Sequence, residues 1–212
     1  MHIPDGFVSA PVATVGIVVA AGCIAGAVKA TKNKMGEKQV PLMGVLAAFI
    51  FAAQMLNFPI AGGTSGHLIG AALAAILLGP GAAILIMTCV LAVQCLVFQD
   101  GGLFALGVNI FNMGIVASLV GYYVYRGGAF FPGGRKGVAL GSGGLAAWLS
   151  VVTASVACAV ELAISGTVPL GVALPAMAGV HALIGIGEGA ITVAVLSLIM
   201  ATRSDLLEME KA

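Results

Sequence analysis

Seven apolar stretches, several longer than 20 residues, run through this chain almost without interruption, and they fix its solvent before anything else. Lys, Arg, Asp and Glu make up 8% of the 212 residues, against roughly 25% in a soluble domain. So few charges cannot cover a water-facing surface, which excludes a soluble enzyme and a disordered chain. A net charge of +1 leaves no basic surface for nucleic acid. The reading is an all-α integral membrane protein. A spanning helix takes about 20 residues, so residues 1–212 form a single transmembrane domain with no separate soluble part. The 31 glycines let helix backbones approach closely in lipid. A β-barrel is disfavoured because it needs short alternating strands.

The expected spans are 7–30, 41–58, 67–79, 82–98, 103–125, 138–165 and 176–201. Glycine, proline and charge mark the breaks between them: Lys29 to Lys38, Gly79-Pro80-Gly81, Gln99 to Gly102, Gly127 to Gly137 and Ser165 to Pro175. The third span is short. Its 13 residues make about 20 Å of helix, less than the roughly 30 Å hydrocarbon core. The loop Asn57 to Gly66 is therefore expected to re-enter from the outer face, with Thr64 or Ser65 capping a helix that starts at His67. Non-helical backbone at that depth is tolerated only inside protein or beside a polar cavity, so a site is expected here.

Basic residues accumulate on cytoplasmic loops. With the N-terminus outside, the inner segments hold all nine: Lys29, Lys32, Lys34, Lys38, Arg126, Arg135, Lys136, Arg203 and Lys211. The expected topology is thus N-outside and C-inside, in a bacterial or archaeal cytoplasmic membrane. The opening segment lacks the basic start of a signal peptide. Cys23, Cys89, Cys95 and Cys158 lie inside apolar runs with no C-x-x-C pair, and are read as small buried side chains.

His2 and His67 both fall on the outer side. Taken singly, His2 reads as a frayed terminal residue and His67 as a hydrogen-bonded histidine in a crevice. The opening Met1-His2 adds a second reading. A bulky second residue protects the initiator methionine, leaving an α-amine, one peptide nitrogen and an imidazole in sequence. Amine and amide close a five-membered ring on a metal, and amide with Nδ1 a six-membered one. A nitrogen from His67 would complete a planar N4 set, which suits Ni(II) or Cu(II).

These stretches carry a resemblance. Met1-His2-Ile3-Pro4-Asp5-Gly6-Phe7, Asn57-Phe58-Pro59, Gly62-Gly63-Thr64-Ser65-Gly66-His67-Leu68, Phe98-Gln99-Asp100-Gly101-Gly102-Leu103 and Asn109-Ile110-Phe111-Asn112-Met113-Gly114 are similar to the CbiM/NikM family. These are the M-type substrate-binding (S) components of energy-coupling-factor transporters for cobalt and nickel. The resemblance implies a seven-helix S component whose first helix threads the amino terminus into the pocket, with metal ligands on Met1, His2 and His67. It implies a transmembrane coupling (T) subunit and ATPase (A) subunits as partners, and allows a further small membrane subunit. The ion is a transported substrate, not a cofactor. The deprotonated amide favours nickel; a cobalt-specific member feeding cobalamin synthesis is the alternative.

Asp5, Asn57, Gln94, Asp100, Asn109 and Asn112 are candidates for orienting the histidines. Gln54 with Asn57, and Asn109 with Asn112, are expected to share helix faces at a spacing of three. Helix-to-helix hydrogen bonding is the competing role for these residues, and an exposed turn for Asp5. Glu161, His181 and Glu188 lie within spans and are expected to pair structurally, outside the metal shell. Gly22-x3-Gly26 and Ala21-x3-Ala25 on the first helix, and Gly185-x3-Gly189 on the last, read first as internal packing and second as docking faces. No G-x-x-x-x-G-K-[ST] loop is present, so ATP hydrolysis belongs to another chain. Two functions of other classes remain open: a passive channel for a small solute, and an intramembrane metalloenzyme using His67, His181 and Glu188.

Overall fold

A computed structural model describes residues 1–32, 36, 39–128 and 135–207. Its elements in chain order are α1 (Ala10–Thr31), α2 (Gln39–Gln54), a β-hairpin of β1 (Phe58–Pro59) and β2 (Ser65–Gly66), and α3 (Ala71–Phe98). After these come α4 (Leu106–Asn109), a π-helical segment (Ile110–Val116) and α5 (Ala117–Arg126), then α6 (Arg135–Ile164), α7 (Leu170–Thr202) and a 3-10 turn (Ser204–Leu207). Among the described residues, five helices have the length and apolar composition to cross a bilayer: α1, α3, the run Leu106–Arg126, α6 and α7. Apolar side chains stand exposed along them, Val18 on α1 and Leu183 on α7 among them, as expected where lipid is the solvent.

The expected third and fourth spans are the two arms of α3, broken at Gly79, whose φ of 81° and ψ of 163° are not helical. A straight helix from Ala71 to Gln94 would be about 35 Å long. Yet Gln94 Oε1 lies 3.0 Å from His2 Nε2, and the His67 ring stacks on His2. Both ends of the stretch meet one residue, so the chain reverses at Gly79-Pro80. Glycine is needed there for its positive φ. Gly81 tucks the reversal under the end of α1, where an added Cβ would stand 2.8 Å from Thr31 Cγ2.

Helix boundaries differ from expectation for physical reasons. The third helix starts at Ala71, not His67, and neither Thr64 nor Ser65 caps it: Ser65 lies in β2, paired with Pro59. Instead the Glu188 carboxylate accepts the Ile69 and Gly70 N–H groups at 2.6 and 2.9 Å. The last helix starts at Leu170, not 176, because only Pro169 acts as its cap while Pro175 is taken inside. α2 ends at Gln54, so Asn57 is not on its face.

Packing relies on small residues where two backbones meet. A Cβ on Gly107 would stand 2.5 Å from Ile17 Cα, and one on Gly189 would stand 3.0 Å from Gly144 O. Gly185 lies against Trp148, whose indole N–H donates to Ala182 O at 3.0 Å. Gly22 and Gly26 meet nothing within 4 Å, and Ala21 and Ala25 are exposed beside them. The α1 stripe is therefore an open face and not internal packing. Cys89 is likewise exposed, not buried, on the outward side of α3, and all four cysteines are free thiols. Of the basic residues used for orientation, Lys34, Lys38 and Lys211 and the side chain of Arg135 lie outside the described residues.

Candidate metal centre

Chain termini usually fray. Here Met1 is fully buried, and His2 and His67 are 4% and 2% exposed. The opening segment is held like an edge strand. Asn109 accepts from Ile3 N at 2.9 Å and donates to Ile3 O at 3.1 Å, and Gly102 N also donates to Ile3 O. The Asp5 carboxylate accepts the Leu103 and Phe104 N–H groups at 3.0 and 2.8 Å. Asp5 thus pins the segment to the start of the run 106–126, and Thr167 closes its far end by donating to Phe7 O at 2.6 Å.

This anchoring delivers the Met1 nitrogen to the β-hairpin. It lies 2.6 Å from His67 Nε2 and 2.9 Å from Ser65 Oγ, and bonds the Ser65 carbonyl. His2 N also donates to Ser65 Oγ, at 3.0 Å. One serine hydroxyl therefore faces both the amine and the next peptide nitrogen. The two imidazoles stack with centroids 4.5 Å apart and planes 24° apart.

Hydrogen bonding sets both tautomers. His67 Nδ1 donates to Leu68 O at 2.7 Å, which leaves the lone pair on Nε2, facing the amine. His2 Nε2 donates to Gln94 Oε1, which leaves the lone pair on Nδ1. That Nδ1 is buried and accepts no hydrogen bond. Asp100 Oδ1 is 3.4 Å from it, too poorly placed to bond but near enough to matter electrostatically. Asp100 is in turn held by Asn57 Nδ2 at 2.8 Å and by the left-handed Gln99 (φ 56°) that ends α3.

The same burial keeps these groups neutral. Desolvation pushes the Met1 amine down to about 5 and His2 down to about 3. It holds His67 well below the ordinary histidine value, reinforced by the adjacent amine. Burial also raises the Asp100 carboxyl, opposed by the amine and the Asn57 hydrogen bond. Amine and imidazole bind metals through neutral lone pairs. The three nitrogens are thus in ligating form at neutral pH, and the amide of His2 lies between them in sequence. No cluster of three His, Cys, Asp or Glu side chains able to hold a metal occurs among the described residues. A metal here would depend on backbone nitrogen and the amine, in the donor set that suits Ni(II).

Five of the six orienting candidates reach this segment or its histidines: Gln94 and Asp100 directly at His2, Asn57 through Asp100, and Asn109 and Asp5 through the backbone that carries it. Asn112 does not. It shares α-helical spacing with Asn109 only on paper, because the π-helical segment starting at Ile110 turns it away. Its amide donates to Glu161 Oε2 at 2.5 Å instead. Gln54, singled out by its spacing of three from Asn57, donates its amide to Ile69 O at 2.7 Å, two residues past His67. His181 Nδ1 bonds Met177 O one turn back.

A family model described as the cobalt uptake substrate-specific transmembrane region, CbiM, matches residues 2–206. A fused chain of Archaeoglobus fulgidus, provisionally named nickel transport protein NikMN, is 44% identical over 214 residues, covering all of this chain and 70% of its own length. The fused nickel transport protein NikMN of Rhodobacter capsulatus is 32% identical over 232 residues, covering all of this chain and 65% of its own. The crystal structure of a truncated transition metal transporter superposes with a TM-score of 0.88 at 34% identity, over 95% of this chain and 99% of that one.

Proposed function

The chain belongs to the CbiM family, and from that premise we propose that it is the substrate-binding membrane component of a nickel importer. It captures the ion at the outer face through the Met1 amine, the His2 peptide nitrogen and Nδ1, and His67 Nε2. The observation that carries this is the unsatisfied His2 Nδ1. A buried acceptor left without a partner costs about 1–3 kcal/mol, and here the ring that carries it stacks on His67, whose Nε2 faces the amine.

Nickel is preferred to cobalt on the donor set: losing the amide proton gives an anionic nitrogen in a planar N4 field. Cobalt, the ion in the family's description, is the alternative. The chain is not an enzyme in this reading. ATP hydrolysis belongs to ATPase subunits acting through a coupling membrane subunit, and a further small membrane subunit completes the set of proposed partners. In the bilayer there are seven crossings: α1, α2, the two arms of α3, the run 106–126, α6 and α7. Residues 55–70 re-enter from the outside, with the N-terminus outside and the C-terminus in the cytoplasm.

The test is nickel and cobalt per chain, by mass spectrometry, on purified parent and His67→Ala proteins. The expected outcome is one ion per parent chain and less than a tenth of that in the variant. Equal content in both would remove His67, and a metal-free parent would remove the capture function.

A further inference from the structure

Glu188 is the one carboxylate on α7, and it is turned inward, only 4% exposed. It reaches an element 118 residues away in sequence. Its two oxygens accept the Ile69 and Gly70 N–H groups, the two residues that lead into α3. The other face of the Ile69 peptide is also taken, because Gln54 Nε2 donates to Ile69 O. Below, Gly70 adopts a left-handed φ of 80° so closely over Ile50 that an added Cβ would stand 2.7 Å from Ile50 Cγ1. The backbone two and three residues past His67 is therefore gripped from α7 and, at two points, from α2.

The grip continues on the other side of His67. Thr64 N donates to Met177 Sδ at 3.4 Å, and a Cβ on Gly66 would stand 3.1 Å from Ile184 Cδ1. Met177 and Glu188 share the buried face of α7, with His181 between them. His67 rides between two attachments to a single helix. Of the two, only Glu188 accepts two N–H groups at once, one on each oxygen.

We propose that Glu188 is a positioning residue for nickel capture: by clamping the N–H groups of Ile69 and Gly70, which link His67 to α3, it fixes where His67 Nε2 meets the Met1 amine. This rests on the metal-capture reading above. It differs from a plain helix cap in what it controls. A cap sets the stability of its own helix, whereas this clamp sets the distance between two ligands contributed by different parts of the chain. Removing the outer partner of a metal ligand lowers affinity about 10–100-fold, and the loss here should be of that size although Glu188 touches no ligand.

The experiment is a nickel titration of the purified full chain, comparing parent, Glu188→Gln, Glu188→Ala and His67→Ala, with the absorption spectrum of each saturated protein and the thermal midpoint of each metal-free protein. Glu188→Gln is isosteric and keeps one acceptor, so it guards against a Glu188→Ala protein that does not fold. The expected result is a nickel Kd raised about tenfold in Glu188→Gln and up to about 100-fold in Glu188→Ala. The metal absorption band should shift in both at saturation, because His67 meets the ion differently. A Kd within about twofold of parent in Glu188→Gln would overturn the proposal. So would a raised Kd with an unchanged saturated band, which would mark loss of stability alone. If the parent binds nickel and His67→Ala does not, either of these failures concerns Glu188 only. A parent that binds none overturns the capture reading and this inference together.

Discussion

Residues 1–3 and α1 are neighbours in sequence and opposites in environment. Met1 and Ile3 are fully buried, whereas only 22% of the apolar stretch of α1 is buried, against 56% for α3. A terminal tripeptide packed more deeply than the helix that follows it inverts the usual order, in which ends fray and helices supply the core. The difference teaches what α1 is for. It contributes little to the core and meets the rest of the fold through narrow contacts at Gly16, Gly107 and Gly81. Its role is to bring the amino terminus to a fixed place, where Asn109, Asp5 and Ser65 take over.

The strongest way to break that division is to lengthen the terminus. One residue added before Met1 leaves every side chain in place but turns the amine into an amide, and the extra residue must fit a space with no exposure. Both fused chelate rings are lost. Nickel affinity should fall more than the 10–100-fold typical of an outer-shell loss, with the metal-dependent rise in thermal midpoint lost as well. Metal analysis on a protein of verified N-terminal mass decides it; unchanged stoichiometry would show that the amine is no ligand.

Next in size is the tether. Gly107→Leu forces a side chain into the backbone of α1 at Ile17, and overpacking of this kind costs about 1–3 kcal/mol. The thermal midpoint should fall and nickel affinity with it, since displacing α1 withdraws the terminus. Gly22→Leu, on the open face of the same helix, should stay within about 0.5 kcal/mol of parent. Equal effects of the two would erase the distinction between the attached and the free side of α1.

A smaller effect is expected from Asn109→Ala. It leaves Ile3 N–H buried without an acceptor, while Ile3 O keeps its bond from Gly102. An unsatisfied buried donor costs about 1–3 kcal/mol. Nickel titration should show about a tenfold weaker Kd, and an unchanged Kd would show that the opening segment does not need this clasp.

Much of the site was legible in the sequence because its parts are unusual for a membrane chain. A terminal Met-His, a polar Gly-Gly-Thr-Ser-Gly run before His67, and Gln94 and Asp100 flanking a span end have few other uses in so apolar a protein. The helices were legible for the plainer reason that apolar runs must be helical in lipid. What was not legible depends on contacts between distant segments. The segment leading into α3 is held by Glu188 from another helix, and Asn112 lies in a π-helical segment that no residue pattern announces. Spacing rules place residues on a face only while the helix keeps 3.6 residues per turn.

The finest test of the buried terminus is the dependence on pH, because burial moves its protons. The amine falls from an ordinary 8.0 to about 5, and His2 from 6.5 to about 3. In each case the unfolded chain binds more protons than the folded one between those values, so stability rises with pH there. For the metal-free protein, the amine's contribution is full above about 8 and drains away as pH falls toward 5. That of His2 is full above about 6.5 and drains toward 3. Nickel binding should follow a different rule. An exposed amine would have to give up its proton as the metal arrived, alongside the amide proton of His2, and log affinity would rise by nearly two per pH unit below about 8. A buried amine is already neutral above about 5. Only the amide proton then leaves, and the slope between pH 6 and 7.5 should be close to one. Calorimetric titration in buffers of different ionisation enthalpy counts the protons released on binding. A count near one fits a terminus buried before the metal arrives; a count near two would mean that the ion itself drags an exposed terminus into place.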